Sequence, residues 1–198
     1  MYARFFKRFL DLLASLLLLL LLLPLFILVA LLIKLDSRGP VFFIQDRVGK
    51  NLKLFKVYKF RTMTDKKRSV QKVIGKAEGV TRIGYYLRRF KIDELPQLIN
   101  VCKGEMSLVG PRPSIQEQLE EMNVDEKRRY SVRPGMTGLA QVCGNIHISW
   151  SERYKYDLEY VENVSFLNDM KIILRTVLII FLGEEKFINE PLKLRETQ

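Results

Sequence analysis

The chain opens on a single long apolar block and then breaks into shorter patterned stretches. Residues 12–33 are almost wholly apolar, interrupted only by Ser15 and Pro24. Roughly 20 such residues suffice for a membrane helix. A cleavable signal peptide has a shorter core followed by a small-residue cleavage site, and neither is present. Pro24 removes one helix hydrogen bond near the middle of the block and predicts a bent axis. Basic residues flank both ends, with Arg4, Lys7 and Arg8 before and Lys34 and Arg38 after. Positive charge on both sides gives no orientation, as expected if both ends sit on one cytoplasmic face. Two arrangements are open from the residues alone. The segment either enters the bilayer, bends at Pro24 and returns, or spans it with a proline kink, which membrane helices tolerate.

Gly39-Pro40 punctuates the end of this block. Residues 41–44 and 52–60 are β-prone, and residues 47–51 between them read as a hairpin turn. Lys53, Lys56, Lys59 and Arg61 recur through the second run. A solvated surface beside anionic lipid accounts for most of these charges. Lys59 and Arg61, in the run YKFRTM, are the better candidates for phosphate contact, because aromatic and apolar neighbours would hold them in place. Residues 64–79 are polar, lysine-rich and weakly patterned, which predicts a mobile loop. A short helix is expected over 81–89 and a solvated, highly charged one over 117–129. The glycines of 133–138 suit either close approach of backbone to a ligand or a bare turn. From Trp150, Tyr154, Asp157, Leu158 and Val161 recur at helical spacing. Residues 172–182 are apolar but too short to span, and suit an interfacial or a core helix.

The expected fold class is α+β and predominantly helical. Residues 1–36 form the membrane anchor, and 37–185 a cytoplasmic globular domain containing a small β-hairpin and interfacial amphipathic helices. Residues 186–198 form a polar tail. Length and a 48% hydrophobic content allow one compact domain besides the membrane element. The formal net charge of +11 points to anionic partners: nucleic acid, acidic lipid head groups or phosphorylated substrates. A single histidine, His147, excludes a His-rich metal site. Cys102 and Cys143 lie in no metal spacing and read as reduced, buried thiols.

The densest chemistry lies in residues 87–113, LRRFKIDELPQLINVCKGEMSLVGPRP. The adjacent carboxylates Asp93 and Glu94 follow Arg88 and Arg89 and precede Arg112, which is framed by two prolines. A purely structural reading is available: Asp93 caps a helix whose first turn holds Glu94, Leu95 and Pro96. A helix N-terminus also attracts phosphate, and a carboxylate can act as a nucleophile toward phosphorus. Two adjacent like charges repel unless arginine or a divalent cation lies between them. Mg²⁺ is the natural candidate, since it takes few carboxylates together with substrate phosphate oxygens. Arg88 and Arg112 would then offset charge on a transferred phosphoryl group.

The runs DELPQL, NVCKGEMSLVGPRP and RPGMTGLAQVCGN resemble the bacterial sugar transferase family, in its small monotopic phosphoglycosyl transferase form. The resemblance extends to KRFLD, to Pro24 within the apolar block, to YKFRTM and to the distal YVENVSFLNDMKI. It implies a membrane-associated enzyme of the bacterial inner membrane. Such an enzyme moves a sugar-1-phosphate from a UDP-sugar to polyprenyl (undecaprenyl) phosphate, releases UMP and starts glycoconjugate assembly. It further implies that Asp93 forms a covalent phosphosugar intermediate and that Glu94 takes part in binding Mg²⁺. Lys59, Arg88, Arg112 and Asp157 match the family's other charged site positions and are expected to bind substrate. The resemblance favours the re-entrant arrangement, with Pro24 as the helix break. Its implied partners are the UDP-sugar, polyprenyl phosphate and inner-membrane phospholipid, with no nucleic acid, and a homodimer is compatible with it.

Two departures stand out. Leu23 replaces the serine that usually precedes the bending proline, and Cys143-Gly144-Asn145 stands where the family usually reads N-G-R-N. The second leaves the sugar open. A rival of another class is a non-enzymatic, membrane-anchored basic module that binds anionic lipid or nucleic acid. It accounts for the charge and the apolar block but not for the acidic pair. A second rival keeps the transferase but makes Asp93 a base in single-step transfer.

Overall fold

The computed structural model describes residues 2–64, 79–187 and 190–196; all but the ends of the loop expected over 64–79 lies outside them. The apolar block forms two helices, α1 (Lys7–Leu21) and α2 (Leu23–Asp36), bent by 60°. Pro24 sits in the first turn of α2, where its missing N–H costs nothing and its ring prevents α1 from continuing. The break therefore falls at Leu22, just before the proline. The result is a broad bend rather than two antiparallel arms. No single helix among the described residues is long and apolar enough to cross a membrane, whereas this bent pair passes by length and composition. Leu16, Leu17, Leu20, Ile27, Leu31 and Leu35 all expose more than half their surface.

One side of α1 is different. Lys7, Asp11 and Ser15 recur every four residues and so share a face. Asp11 accepts from Ser107 Oγ at 2.6 Å and from the Leu108 amide at 3.3 Å. Ser15 Oγ donates to the Leu12 carbonyl and meets Cys102 Sγ at 3.2 Å. Arg8 donates to the Val101 and Cys102 carbonyls at 2.5 and 2.9 Å. Lys7 pairs with Asp169 at 2.7 Å, and Tyr2 and Tyr160 donate to the same carboxylate. The base of α1 is thus bolted to the globular domain by buried polar groups.

The predicted hairpin is present: β1 (Phe42–Val48) pairs antiparallel with β2 (Leu54–Phe60), with Phe42 opposite Phe60 and Val48 opposite Leu54. Arg47 and Val48 belong to β1 rather than to the turn, which is tightened instead by positive φ at Asn51 and Leu52. Next come α3 (Arg82–Arg89), α4 (Gln97–Lys103) and β3 (Ser107–Val109). Then follow α5 (Gln116–Glu121), β4 (Gly135–Thr137), α6 (Leu139–Val142), α7 (Trp150–Glu162) and α8 (Phe166–Leu182). Thr81 caps α3 through the Gly84 amide at 2.9 Å, and Ser149 with Glu152 forms a capping box on α7.

Strands β3 and β4 pair in parallel, which the turn-rich sequence of 133–138 did not announce. The glycines there serve backbone packing, since a Cβ on Gly135 would sit 2.1 Å from the Gly110 amide nitrogen. The charged stretch 117–129 is not one solvated helix: α5 stops at Glu121, and Arg129 is buried. The main core gathers Val109, Leu139, Val142, Tyr160, Ile172 and Ile179 between β3, α6, α7 and α8. Helix α8 buries Asn168, Asp169, Ile172 and Ile179 while exposing Leu174, Val177, Leu178 and Phe181. Leu192 and Leu194 of the C-terminal segment pack against this core. Both cysteines are free; Cys143 is buried, which pushes its thiol up to about 11.

Candidate active site

Four segments bring charge to one place. Strand β2 supplies Lys59 one residue before its end, and α3 supplies Arg88. Between α3 and α4 the chain reverses through Lys91, at φ +57°, into a 3-10 turn, Ile92–Glu94, that carries the acidic pair. Asp93 is therefore not the cap of α4. That helix begins three residues beyond the pair, behind Pro96, with no side-chain cap. The short turn leaves both carboxylates half-buried.

Glu94 is clamped. Its Oε1 accepts from Lys59 Nζ at 2.6 Å and from Arg112 Nη2 at 2.6 Å; among the described residues its Oε2 accepts only from Arg112 Nη1, at a longer 3.3 Å. Burial opposes its charge, but Arg112 and Lys59 overcome that and hold it well below the usual carboxylate range. Asp93 has no such clamp: among the described residues no donor bonds it, and burial together with Glu94 pushes it up to about 6. Neighbouring carboxylates driven in opposite directions mark a division of labour. Glu94 stays ionised as the counter-charge of two cations. Asp93 is a carboxylate of raised basicity with free lone pairs, as a nucleophile or base requires.

Arg112 owes its position to a buried ion pair. Arg129 donates to the Arg112 carbonyl at 2.7 Å and to Ser114 Oγ at 3.2 Å, and it pairs with Asp157 at 2.7 Å. Both side chains are at most 5% exposed. Asp157 thus lies beneath the Pro-Arg-Pro segment, joined to the site through Arg129, and burial pushes its carboxyl up to about 6. Arg88 points Nε at Thr62 Oγ1, 2.9 Å away. Arg61 does not join the site. It is buried and binds the Ser37 and Arg38 carbonyls at the end of α2, which corrects its reading as a phosphate contact.

Two residues not singled out from sequence gather around the pair. Glu184, just past α8, takes Lys91 Nζ at 3.1 Å and Asn145 Nδ2 at 2.9 Å. Arg47, at the end of β1, bonds Gln45, and burial beside Arg112 lowers its guanidinium to about 10. Neither carries a local motif; alternation along β1 was the one signal that set Arg47 on the same side as Gln45. His147 is exposed in the loop after α6. Among the described residues no three His, Cys, Asp or Glu side chains converge as a metal cage. The donor set nevertheless fits a weakly held hard cation, because Glu94 Oε2 keeps free lone pairs and Mg²⁺ takes most of its ligands from substrate and water.

The sequence matches the bacterial sugar transferase family model over residues 2–183. The chain belongs to the bacterial sugar transferase family. It is 41% identical over 178 residues to the uncharacterized sugar transferase EpsL of Bacillus subtilis (strain 168), covering 90% of this chain and 88% of that one. It is 46% identical over 188 residues to the undecaprenyl-phosphate glucose phosphotransferase of Komagataeibacter xylinus, covering 86% of this chain but 35% of that longer one. The UDP-N-acetylgalactosamine-undecaprenyl-phosphate N-acetylgalactosaminephosphotransferase of Aeromonas hydrophila is 38% identical over 187 residues, covering 90% and 44%. As a sugar transferase, the chain has its acidic pair, its basic clamp and Pro24 all inside the matched span.

Proposed function

We propose that this sugar transferase moves a sugar-1-phosphate from a UDP-sugar to polyprenyl phosphate in two steps. The observation that carries the reading is the asymmetry of the pair, with Glu94 locked between Lys59 and Arg112 while no donor among the described residues bonds Asp93, which is raised to about 6. An Asp93 carboxylate oxygen attacks the sugar-bearing β-phosphorus. The bond from that phosphorus to the bridging oxygen breaks, and UMP departs with the electron pair. A polyprenyl phosphate oxygen then attacks the same phosphorus, releasing Asp93 and leaving the sugar on a lipid diphosphate. Lys59, Arg112 and Arg88 counter the charge on the phosphoryl oxygens as they pass through each transition state. Asp157 acts through Arg129, holding the Arg112 backbone. Mg²⁺, held by Glu94 Oε2 and substrate, would neutralise diphosphate charge. The names of the relatives from Komagataeibacter and Aeromonas support the lipid acceptor, and the latter the uridine donor.

The outward surfaces suit a membrane setting. Leucines of α1 and α2 and the face of α8 bearing Leu174, Val177, Leu178 and Phe181 are exposed, and large exposed apolar surface marks membrane or partner contact. In this reading α1 and α2 enter the cytoplasmic leaflet of the inner membrane and return at Pro24, and α8 lies in the phospholipid interface. An aqueous nucleotide and a lipid phosphate would then meet at the clamp. The test is UMP release from a panel of UDP-sugars with polyprenyl phosphate and Mg²⁺. Turnover that Asp93→Asn abolishes supports the assignment. Turnover that survives that substitution removes Asp93 from the chemistry. Capture of labelled phosphosugar on Asp93 separates the covalent route from single-step transfer.

A further inference from the structure

Among the described residues, two buried side-chain oxygens lack a donor, Gln141 Oε1 and Glu184 Oε2; the other unpartnered buried atoms are arginine Nε groups. A buried acceptor left unmade costs free energy, more so when it carries charge, so such an atom calls for a partner. Glu184 is held in one orientation. Lys91 Nζ and Asn145 Nδ2 both bind Oε1, at 3.1 and 2.9 Å, which turns Oε2 away from them. Lys91 stands two residues before Asp93, and Glu184 contributes to the field that keeps Arg112 charged. Asn145 opens the short turn that follows α6, so Glu184 closes a gap between that turn and the one carrying the pair. Gln141 lies elsewhere, on the β3–β4 side of the Pro-Arg-Pro segment. Its Nε2 donates to the Met136 carbonyl at 3.2 Å, and its Oε1 lies over Gly138, whose own backbone abuts Gly110 just before the Pro-Arg-Pro segment.

We infer that Glu184 Oε2 accepts hydrogen bonds from hydroxyl groups of the donor's sugar and is a specificity-determining residue of this transferase. The inference rests on the transferase reading above. A sugar bonded to the phosphorus that Asp93 attacks must lie beside the turn carrying Asp93, where Lys91 and Glu184 stand. Hydroxyls are the donors such a ligand offers. A site built to accept from a hydroxyl strongly rejects an analogue lacking it, because the acceptor is left buried and unpaired. Arginine and lysine side chains handle the diphosphate, and this acid handles the part that differs between nucleotide sugars.

The experiment compares full-length wild type with Glu184→Ala and Glu184→Gln, using UMP release with polyprenyl phosphate. The donors are a panel of UDP-sugars and the monodeoxy analogues of the preferred one. Thermal unfolding is followed alongside, and Glu184→Gln keeps the side-chain shape should the alanine variant not fold. The expected result is that kcat/KM for the preferred donor falls about tenfold or more in Glu184→Ala. For one monodeoxy donor, variant and wild type should agree within about twofold, because the contact is already missing. Equal losses on every donor, or no loss on any, would overturn the assignment while leaving the transferase reading intact. A wild type silent on every UDP-sugar would overturn both together.

Discussion

Replacing Asp157 by leucine tests whether the ion pair beneath the Pro-Arg-Pro segment serves stability or position. Arg129 and Asp157 are 5% and 3% exposed and 2.7 Å apart, so neither charge can be re-solvated in place. The Asp157 carboxyl stands at about 6 even with the guanidinium beside it. Its ionised form therefore still costs about 3 kcal/mol relative to an aspartate in water. Desolvation outweighs attraction, and the pair adds little net stability. Breaking it is another matter, because Asp157→Leu strands a buried guanidinium at a cost of about 3–5 kcal/mol. For a chain of this size that lowers the unfolding midpoint by roughly 10 °C. Arg129→Met combined with Asp157→Leu removes both charges at similar volume and should recover most of the midpoint. Activity should not recover, because the Arg112 carbonyl has lost the donor that fixed it at 2.7 Å. The assays are thermal unfolding and UMP release in the same lipid preparation. A single variant within about 2 °C of wild type would refute the energetic argument. A double variant that regains both stability and turnover would refute the positional one.

With Asp93 raised to about 6 and required ionised, kcat/KM should be full above pH 7 and fall as pH drops through 6; a pH profile that stays flat from 7 to 5 would remove Asp93 from the rate-limiting chemistry. Arg112→Lys keeps the charge but loses the two-nitrogen grip on Glu94, and should lower kcat by about tenfold or more with little change in unfolding midpoint. A Cβ on Gly84 would stand 2.2 Å from the Thr62 carbonyl oxygen. Gly84→Ala should therefore destabilise the fold by about 1–3 kcal/mol and shift Arg88, which bonds Thr62, as denaturant unfolding and turnover together would show.

What could be read from the chain depended on how local the cause was. The break near Pro24, the hairpin of β1 and β2, and helices α3 and α7 follow from short-range rules of proline geometry, alternation and capping. The residues Asp93, Glu94, Lys59 and Arg112 were legible as charged positions, and the fold does bring Lys59 and Arg112 onto Glu94. What sequence could not divide was their labour: which carboxylate is clamped depends on a side chain reaching across from β2 and another from beyond β3. Arg61 shows the reverse error, since charge in a promising run reads as ligand contact although burial has assigned it to backbone carbonyls; Asp157 is buried on Arg129 and reaches the site through that partner. Asp11 was overlooked for the same reason that Glu184 was. Each has its partners far away in the chain, the former 96 residues on at Ser107 and the latter 39 residues back at Asn145.

The bolt between α1 and the globular domain also fixes an altitude. Because Arg8, Asp11 and Ser15 engage the end of α4 and the start of β3, under the membrane placement proposed above the depth to which the apolar arms sink would dictate how far the acidic pair stands above the lipid head groups. Adding or removing one residue between Lys7 and Ser15 would rotate the polar stripe by about 100° as well as change that height. Such a length change should uncouple lipid-phosphate delivery from sugar-nucleotide cleavage without touching a single charged group at the clamp. Trimming the arms to obtain a soluble catalytic fragment would meet the same obstacle from the other side, by uncovering the Val101 and Cys102 carbonyls, Ser107 and Asp169 at once.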